Sequence, residues 1–314
     1  MARGGFNIKF DLAHTGFRKA CFLGMGGSAA GGDIIGSWLS DRPMFETITF
    51  KGHLPRGSMS DTLAVACSAS GQTEETIEMM ETAVRRGAMT ISISAGGRLM
   101  EASKKLGVQH VMMPKVVAPR YMLPFIIFSC LSIINLGLDM QCEKEVEDAI
   151  REMEIESKSV GIAAPISKNP SKQLALSLLK KTPVIYGSRL TFGAGTRFKN
   201  ALNENAKRHA IVGELPDAFH NEIEGWASQR IGFVPVFLEC TSESERLRKK
   251  VNLMKKILSE LGTSPISVSG RGRTNLARLT SMVFRLDMTS YYVAIGNGRD
   301  PFPTKLIDRI KEVF

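Results

Sequence analysis

Cysteine is too scarce and too scattered in this chain to build a disulfide framework or a thiolate metal site. The five, Cys21, Cys67, Cys130, Cys142 and Cys240, are odd in number and none forms a C-x-x-C pair. Cys21 and Cys67 fall in apolar, strand-like runs and read as small core residues, so a reducing cytoplasm is the expected setting. Clustered basic charge is missing too. Lys and Arg outnumber Asp and Glu by 41 to 31, for a formal net charge of +10, yet the basic blocks are short, pairs such as Arg85-Arg86 and at most the triplet Arg248-Lys249-Lys250. With no zinc-finger spacing and no aromatic–basic interleaving, a nucleic-acid partner is not expected. The charge reads as a dispersed surface, biased at most toward a small anionic substrate. Long apolar runs are absent as well. The longest, 122–138, contains Pro124 and several polar residues and is short for a membrane span. The first twenty residues lack the apolar stretch of a signal peptide. A soluble cytoplasmic protein without a membrane partner is expected.

Two nucleotide signatures are also lacking. Gly24-Met25-Gly26-Gly27-Ser28 is not a Walker loop, for no G-x-x-x-x-G-K-[ST] occurs. The acidic residue of a dinucleotide fingerprint, expected about 20 residues on, is met only loosely by Glu46.

What is present is a rhythm of short apolar strand, glycine or hydroxyl loop, and amphipathic helix. Strands are predicted at 20–24, 47–50, 63–68, 89–94 and 110–114, with helices near 33–39, 74–86, 99–105 and 120–138. A charged, helical stretch begins near residue 143, and a domain boundary is placed near 150 within that region. At 314 residues the chain fits two domains of about 150 residues each. The rhythm restarts with strands at 182–188, 210–215, 232–240 and 265–270. Helices are predicted over 194–206, near 222, over the SESERLRKK run, over 275–291, and from about Thr304 to the end. Such alternation predicts α/β architecture, a mostly parallel sheet flanked by helices in each of two domains, 1–150 and 151–314. Ligands of such sheets bind at the loops outside the carboxyl ends of the strands.

The segment 64–75, VACSASGQTEET, is the most telling of these loops. Ser68, Ser70 and Thr73 surround Gly71, and Glu74-Glu75 opens a helix. Small hydroxyls and free backbone N–H groups at a helix start suit a phosphate dianion. An ordinary strand-to-helix turn with a hydroxyl cap explains the same residues equally well.

The loop Gly26-Gly27-Ser28, followed by Ser68-x-Ser70-Gly71-x-Thr73, resembles the sugar isomerase (SIS) domain. In the second half, Asn203-Glu204-Asn205-Ala206-Lys207, Leu215-Pro216, Phe219-His220-Asn221 and Glu224-Gly225 are similar to the bifunctional phosphoglucose/phosphomannose isomerases. Ala118-Pro119-Arg120, Thr304 and Lys311 fit that family too, so the resemblance runs from about Ala20 to Lys311. It implies two flavodoxin-like SIS domains and interconversion of glucose 6-phosphate and mannose 6-phosphate with fructose 6-phosphate, a reaction of glycolysis and gluconeogenesis. It further implies that Gly27, Ser28, Ser68, Ser70 and Thr73 bind the phosphate and that Glu204 moves the proton between C1 and C2. His220 and Lys311 would open the ring, Arg120 would lie near the enediolate, and Thr304 would position the open chain. It implies a homodimer in which His220 reaches the neighbour's site. Ala29, Ala69 and Gln72 depart from the family pattern, where Gly, Tyr and Asn are common.

The residue types suit that chemistry. One carboxylate suffices to carry a proton between neighbouring carbons, an imidazole suits ring opening near neutral pH, and a cation stabilises the enediolate charge. No metal and no redox cofactor are needed. Each residue also has a plain reading: Glu204 as a surface helix glutamate, His220 as a loop histidine like His14, His53, His110 and His209, Lys311 as a partner of its helix C-terminus. A sugar-phosphate-sensing regulator, another SIS phosphosugar isomerase and a non-catalytic paralogue remain the alternatives.

Overall fold

The computed structural model describes the whole chain apart from residues 9–16, 43–44, 55, 117, 229–231 and 312–314, so His14 lies outside the described residues. Among the described residues, nine parallel strands divide between two sheets, each in its own compact unit, Met1–Ile150 and Arg151–Phe314.

The first unit opens on a short helix α1 (Ala2–Phe6), which the sequence reading did not anticipate. Then follow β1 (Lys19–Gly24), α2 (Gly26–Leu39), β2 (Glu46–Phe50), β3 (Thr62–Ser68), α3 (Glu74–Arg85), β4 (Met89–Ser94), α4 (Gly97–Lys105) and β5 (Gln109–Met112). A 3-10 turn, Pro119–Met122, leads into α5 (Leu123–Gly137), and α6 (Glu143–Ser159) carries the chain across the boundary. The strand order is β2-β1-β3-β4-β5, all parallel. All seven residues of β3 are buried, as expected of a central strand covered on both faces.

By length and composition the stretch Pro119–Gly137 is apolar enough to cross a bilayer. Its surroundings explain the composition otherwise: α5 packs on α1, α2 and β3, with Phe128, Leu131, Ile133 and Ile134 fully buried. Each such side chain contributes roughly 1.5–3 kcal/mol of apolar burial. It is the core helix of this unit.

The second unit contains α7 (Pro170–Leu178), β6 (Thr182–Ser188), α8 (Phe192–Ala201), β7 (Ile211–Leu215), β8 (Phe233–Glu239), α9 (Glu245–Glu260), β9 (Ile266–Ser269), α10 (Asn275–Gly296) and α11 (Lys305–Lys311). Its order, β7-β6-β8-β9, repeats the arrangement of the first four strands of the other sheet. Two local readings are corrected. The helix expected over 194–206 is α-helical only to Ala201 and continues as a π-helical turn, Leu202–Ala206. The helix expected near 222 is a 3-10 segment, Glu222–Ala227. All five cysteines are free and buried, and burial pushes the Cys21, Cys67 and Cys142 thiols up to about 12.

Candidate active site

In the first sheet the connections from β1 and β3 leave in opposite directions, so a crevice opens between the carboxyl ends of these two strands. Both loops that border it carry the hydroxyls singled out from the sequence. Gly27 and Ser28 lie in the first turn of α2, and Ser68, Ser70 and Thr73 lie between β3 and α3. Neither Met25 nor Thr73 caps its helix with a side chain, so first-turn N–H groups face the crevice without a side-chain acceptor.

Hydrogen bonds stitch the two loops into one cradle. Ser28 Oγ accepts from the Ala69 N–H at 3.1 Å, crossing from one loop to the other. Ser68 Oγ accepts from the Gly71 N–H at 3.1 Å and lies 2.9 Å from Thr73 Oγ1. Ser70 Oγ accepts from the Gln72 N–H at 3.2 Å, which leaves its own O–H to donate elsewhere. Gly71 closes the loop in a left-handed conformation, φ +68, pressed against the Gly96 carbonyl. Gly96 is held in turn by Ser94, whose Oγ donates to the Gly96 carbonyl at 2.7 Å and lies 3.3 Å from His110 Nε2. Burial keeps His110 below its ordinary value, so this histidine is a neutral brace for the cradle.

Beside the cradle lies a cavity of about 360 Å³ whose wall includes Ser70, Gln72, Gly97, Lys115, Pro119 and Met122. Lys115 brings a cation to this wall. It had no place in the sequence reading, although its position just after β5, at the same end of the sheet as the cradle, was a usable signal. The neighbouring Arg120 is 8% exposed, and the turn that carries it packs on α2, the helix bearing Ser28. Its guanidinium stands 5.8 Å from the Tyr121 ring.

The second unit has a corresponding crevice between β6 and β8, with a cavity of about 250 Å³ lined in part by Ser188, Thr241, Glu243 and Arg248. There a carboxylate takes the position a bound anion would want: Ser188 Oγ donates in a short hydrogen bond to Glu243. A resident negative charge at that hydroxyl disfavours an anion there.

The second unit offers Glu204 instead, in an unexpected place. The strand-end rule pointed to carboxyl-end loops, but Glu204 precedes β7 and lies at the opposite end of that sheet. It is half-buried on the π-helical turn Leu202–Ala206, which widens the helix by one residue where α8 ends. Such turns are rare and frequently mark functional positions. Its ends are fastened. Asn205 Nδ2 donates to Ser290 Oγ at 2.8 Å, and Lys207, left-handed at φ 54, donates from Nζ to the carbonyls of Glu204 (2.8 Å), Asn205 (3.3 Å) and Asp300 (2.8 Å). The bond to Asp300 ties the turn to the C-terminal segment carrying Thr304. Thr304 Oγ1 lies 3.4 Å from Asp308 Oδ1, and Lys311 is exposed at the end of α11.

Lys207→Met is expected to loosen that turn. With Glu204 as a reacting group, misplacement by about 1 Å costs up to 10²-fold, so the expected outcome is a fall in kcat of roughly 10–100-fold with a smaller change in KM. Steady-state kinetics on the purified variant checks it.

His220 follows β7, so it and Glu204 are separated by a strand of five residues, about 16 Å of extended chain. They therefore stand at opposite ends of the second sheet. The His220 loop follows a cis Leu215-Pro216 bond and is fixed by a buried network. Trp226 Nε1 donates to Tyr186 Oη at 2.8 Å, and Tyr186 bonds Glu222. Burial, then the Asp217 charge, raises Glu222 above its ordinary value, and burial pushes Tyr186 up to about 12.

Residues 167–314 match the family described as the bacterial phospho-glucose isomerase C-terminal SIS domain. The bifunctional phosphoglucose/phosphomannose isomerase of Aquifex aeolicus is 34% identical over 98% of this chain and 92% of its own length. That of Caldicellulosiruptor bescii is 30% identical over 98% and 92%. Among solved structures, a glucose-6-phosphate isomerase like protein from Thermus thermophilus superimposes with a TM-score of 0.62 at 18% identity, covering 96% of this chain and 91% of that one; this likeness concerns the fold. With a hydroxyl cradle in its first unit, a fastened glutamate in its second, and identity to these relatives along nearly its full length, the chain belongs to the bifunctional phosphoglucose/phosphomannose isomerase family, enzymes of the SIS fold.

Proposed function

We propose that this enzyme interconverts glucose 6-phosphate and mannose 6-phosphate with fructose 6-phosphate through a cis-enediolate. Glu204, half-buried on a wide turn whose backbone is fastened on both sides, is the observation that carries this reading, because a proton shuttle between C1 and C2 needs one carboxylate on a fixed support. Gly27, Ser28, Ser68, Ser70 and Thr73 bind the phosphate, with Lys115 supplying positive charge at the cavity wall. Phosphate binding is remote from the bonds that change, so its energy holds and orients the open chain.

Glu204 removes the proton from C2 of the open-chain aldose and returns it to C1, and the reverse direction runs through the same enediolate. Arg120 stabilises the charge on O1 and O2. His220 and Lys311 move protons on the ring and O1/O5 oxygens during opening, and Thr304 positions the chain so that either C2 epimer is accepted. Because Glu204 and His220 stand at opposite ends of one sheet, His220 of each protomer serves the other protomer's site in a homodimer. No cofactor takes part in these steps.

A coupled assay with fructose 6-phosphate and no added metal, following glucose 6-phosphate and mannose 6-phosphate separately, tests the reading. Both products at comparable rates are expected. A single product would remove the dual specificity and the role of Thr304. Neither product, with the sugar phosphate still bound, would mean another phosphosugar or a sensing role.

A further inference from the structure

Arg197 is the largest charged side chain enclosed in the second unit, 1% exposed on α8. Its Nε and Nη2 donate to Asp287 Oδ1 and Oδ2 of α10 at 2.8 and 2.9 Å, a two-pronged pair that fixes the guanidinium plane. The third nitrogen, Nη1, is buried and has no hydrogen-bond partner among the described residues. Leaving a buried N–H unmet is costly, and a purely structural contact here would be served as well by packed apolar side chains. A fork fully used on one side and open on the other calls for a further acceptor.

Glu204 comes seven residues later, two turns along, and its π-helical turn packs against both α8 and α10. We propose that Arg197 is a positioning residue for the Glu204 carboxylate, its Nη1 holding the oxygen that does not carry the substrate proton. The inference rests on the reading of Glu204 as the base. As the carboxylate takes a proton from C2 and gives it up at C1, one oxygen does the carrying. The other needs a fixed donor so that the carrying oxygen faces both carbons in turn. Asp287 keeps that donor in place and balances its charge.

Electrostatics point the same way. Burial opposes the charge on Arg197, but the Asp287 carboxylate, and after it Glu204 and Tyr291, offset that and hold the guanidinium above its ordinary value. The charged and titratable groups that act on Arg197 are thus Asp287 and Tyr291 from α10 and Glu204 from the turn, while Lys207 at the end of that turn bonds the Glu204 backbone carbonyl.

The test compares full-length wild type with Arg197→Gln, Arg197→Lys and the double variant Arg197→Gln/Asp287→Asn. The double variant removes the Asp287 charge together with the Arg197 cation that it pairs with and so keeps the fold testable. With fructose 6-phosphate, Arg197→Gln and the double variant should lose about 10–100-fold in kcat with KM within a few-fold of wild type. The acidic limb of log kcat/KM against pH should move up by about one unit when the cation is removed. Arg197→Lys should restore the limb but not all of kcat, since it keeps the charge without the fork. A lowered melting temperature with kcat and the acidic limb both unmoved would reduce Arg197 to a structural ion pair and overturn the inference. Glu204→Gln in the same assay separates the two readings. Full turnover there would overturn the base assignment and this inference together, whereas a dead Glu204→Gln beside an unmoved Arg197→Gln profile overturns this inference alone.

Discussion

Glu204→Gln is expected to lower kcat for fructose 6-phosphate by about 10³-fold while leaving the dissociation constant within about threefold, because the proton shuttle disappears and the phosphate cradle does not. The amide keeps the size of the carboxylate and its backbone stays fastened: Lys207 still reaches the Glu204 carbonyl, and Asn205 still reaches Ser290. Loss of turnover with binding retained, measured by calorimetry beside the coupled assay, is the signature of a base. Isotope exchange offers a second readout. Wild type should wash tritium from C2 of the aldose into water during turnover, and the variant should not. Unchanged turnover would remove Glu204 from the chemistry.

Gly71→Ala is expected to have the largest effect on substrate binding. A Cβ there would lie 1.7 Å from the Gly96 carbonyl oxygen, at a φ of +68 that L side chains rarely adopt. Conformational strain and overlap with backbone together cost about 2–5 kcal/mol. Relief requires the 69–73 loop to move, and the loop takes with it the N–H groups of Ala69, Gly71 and Gln72 that Ser28, Ser68 and Ser70 hold. KM for fructose 6-phosphate should rise tenfold or more, roughly the loss of one or two charge-assisted hydrogen bonds. The melting temperature should fall by about 5–10 °C. Gly26→Ala is the control. It also sits at positive φ, +50, but its Cβ meets nothing within 4 Å, so only the conformational cost of about 1 kcal/mol applies. Equal effects of the two substitutions would mean that contact with Gly96 does not set the loop.

Much of the fold was legible because buried parallel strands are continuous apolar runs bounded by loops. The reading of 63–68 and 182–188 as strands lies within a residue of Thr62–Ser68 and Thr182–Ser188. Helix α2 was less legible. It begins at Gly26, seven residues before the predicted start, in a run of glycines and alanines whose propensity is poor. Packing of that small-residue face on β1, β2 and α5 overrides the propensity. Helix α7 was missed although Asn169-Pro170 announces it: Asn169 Oδ1 accepts from the Lys172 N–H at 3.0 Å, and proline takes the first helical position. The wide turn at Leu202–Ala206 has no local signature, since its residues suit an α-helix and only Lys207 at φ 54 and its reach to Asp300 set its end.

The same division holds for the site. Ser28, Ser68, Ser70 and Thr73 were legible as candidates because each strand-end loop is local, a few residues between one strand and one helix that carry the hydroxyls; that the two loops join through Ser28 Oγ and the Ala69 N–H shows only in the fold. Arg197, Asp287 and Lys207 could not be found that way. Their roles depend on groups up to 93 residues away in the chain, on α10 and just beyond it. Nor does the sequence show how the loops of the two similar sheets differ. In the second, Glu243 folds back onto Ser188, a contact across 55 residues that brings a negative charge to that hydroxyl. Local periodicity and loop chemistry thus determined the fold class and the candidate residues of the hydroxyl loops. Tertiary packing alone decided where Glu204 stands and what holds its turn, because the position of a charged group is set by partners that only the folded chain brings near.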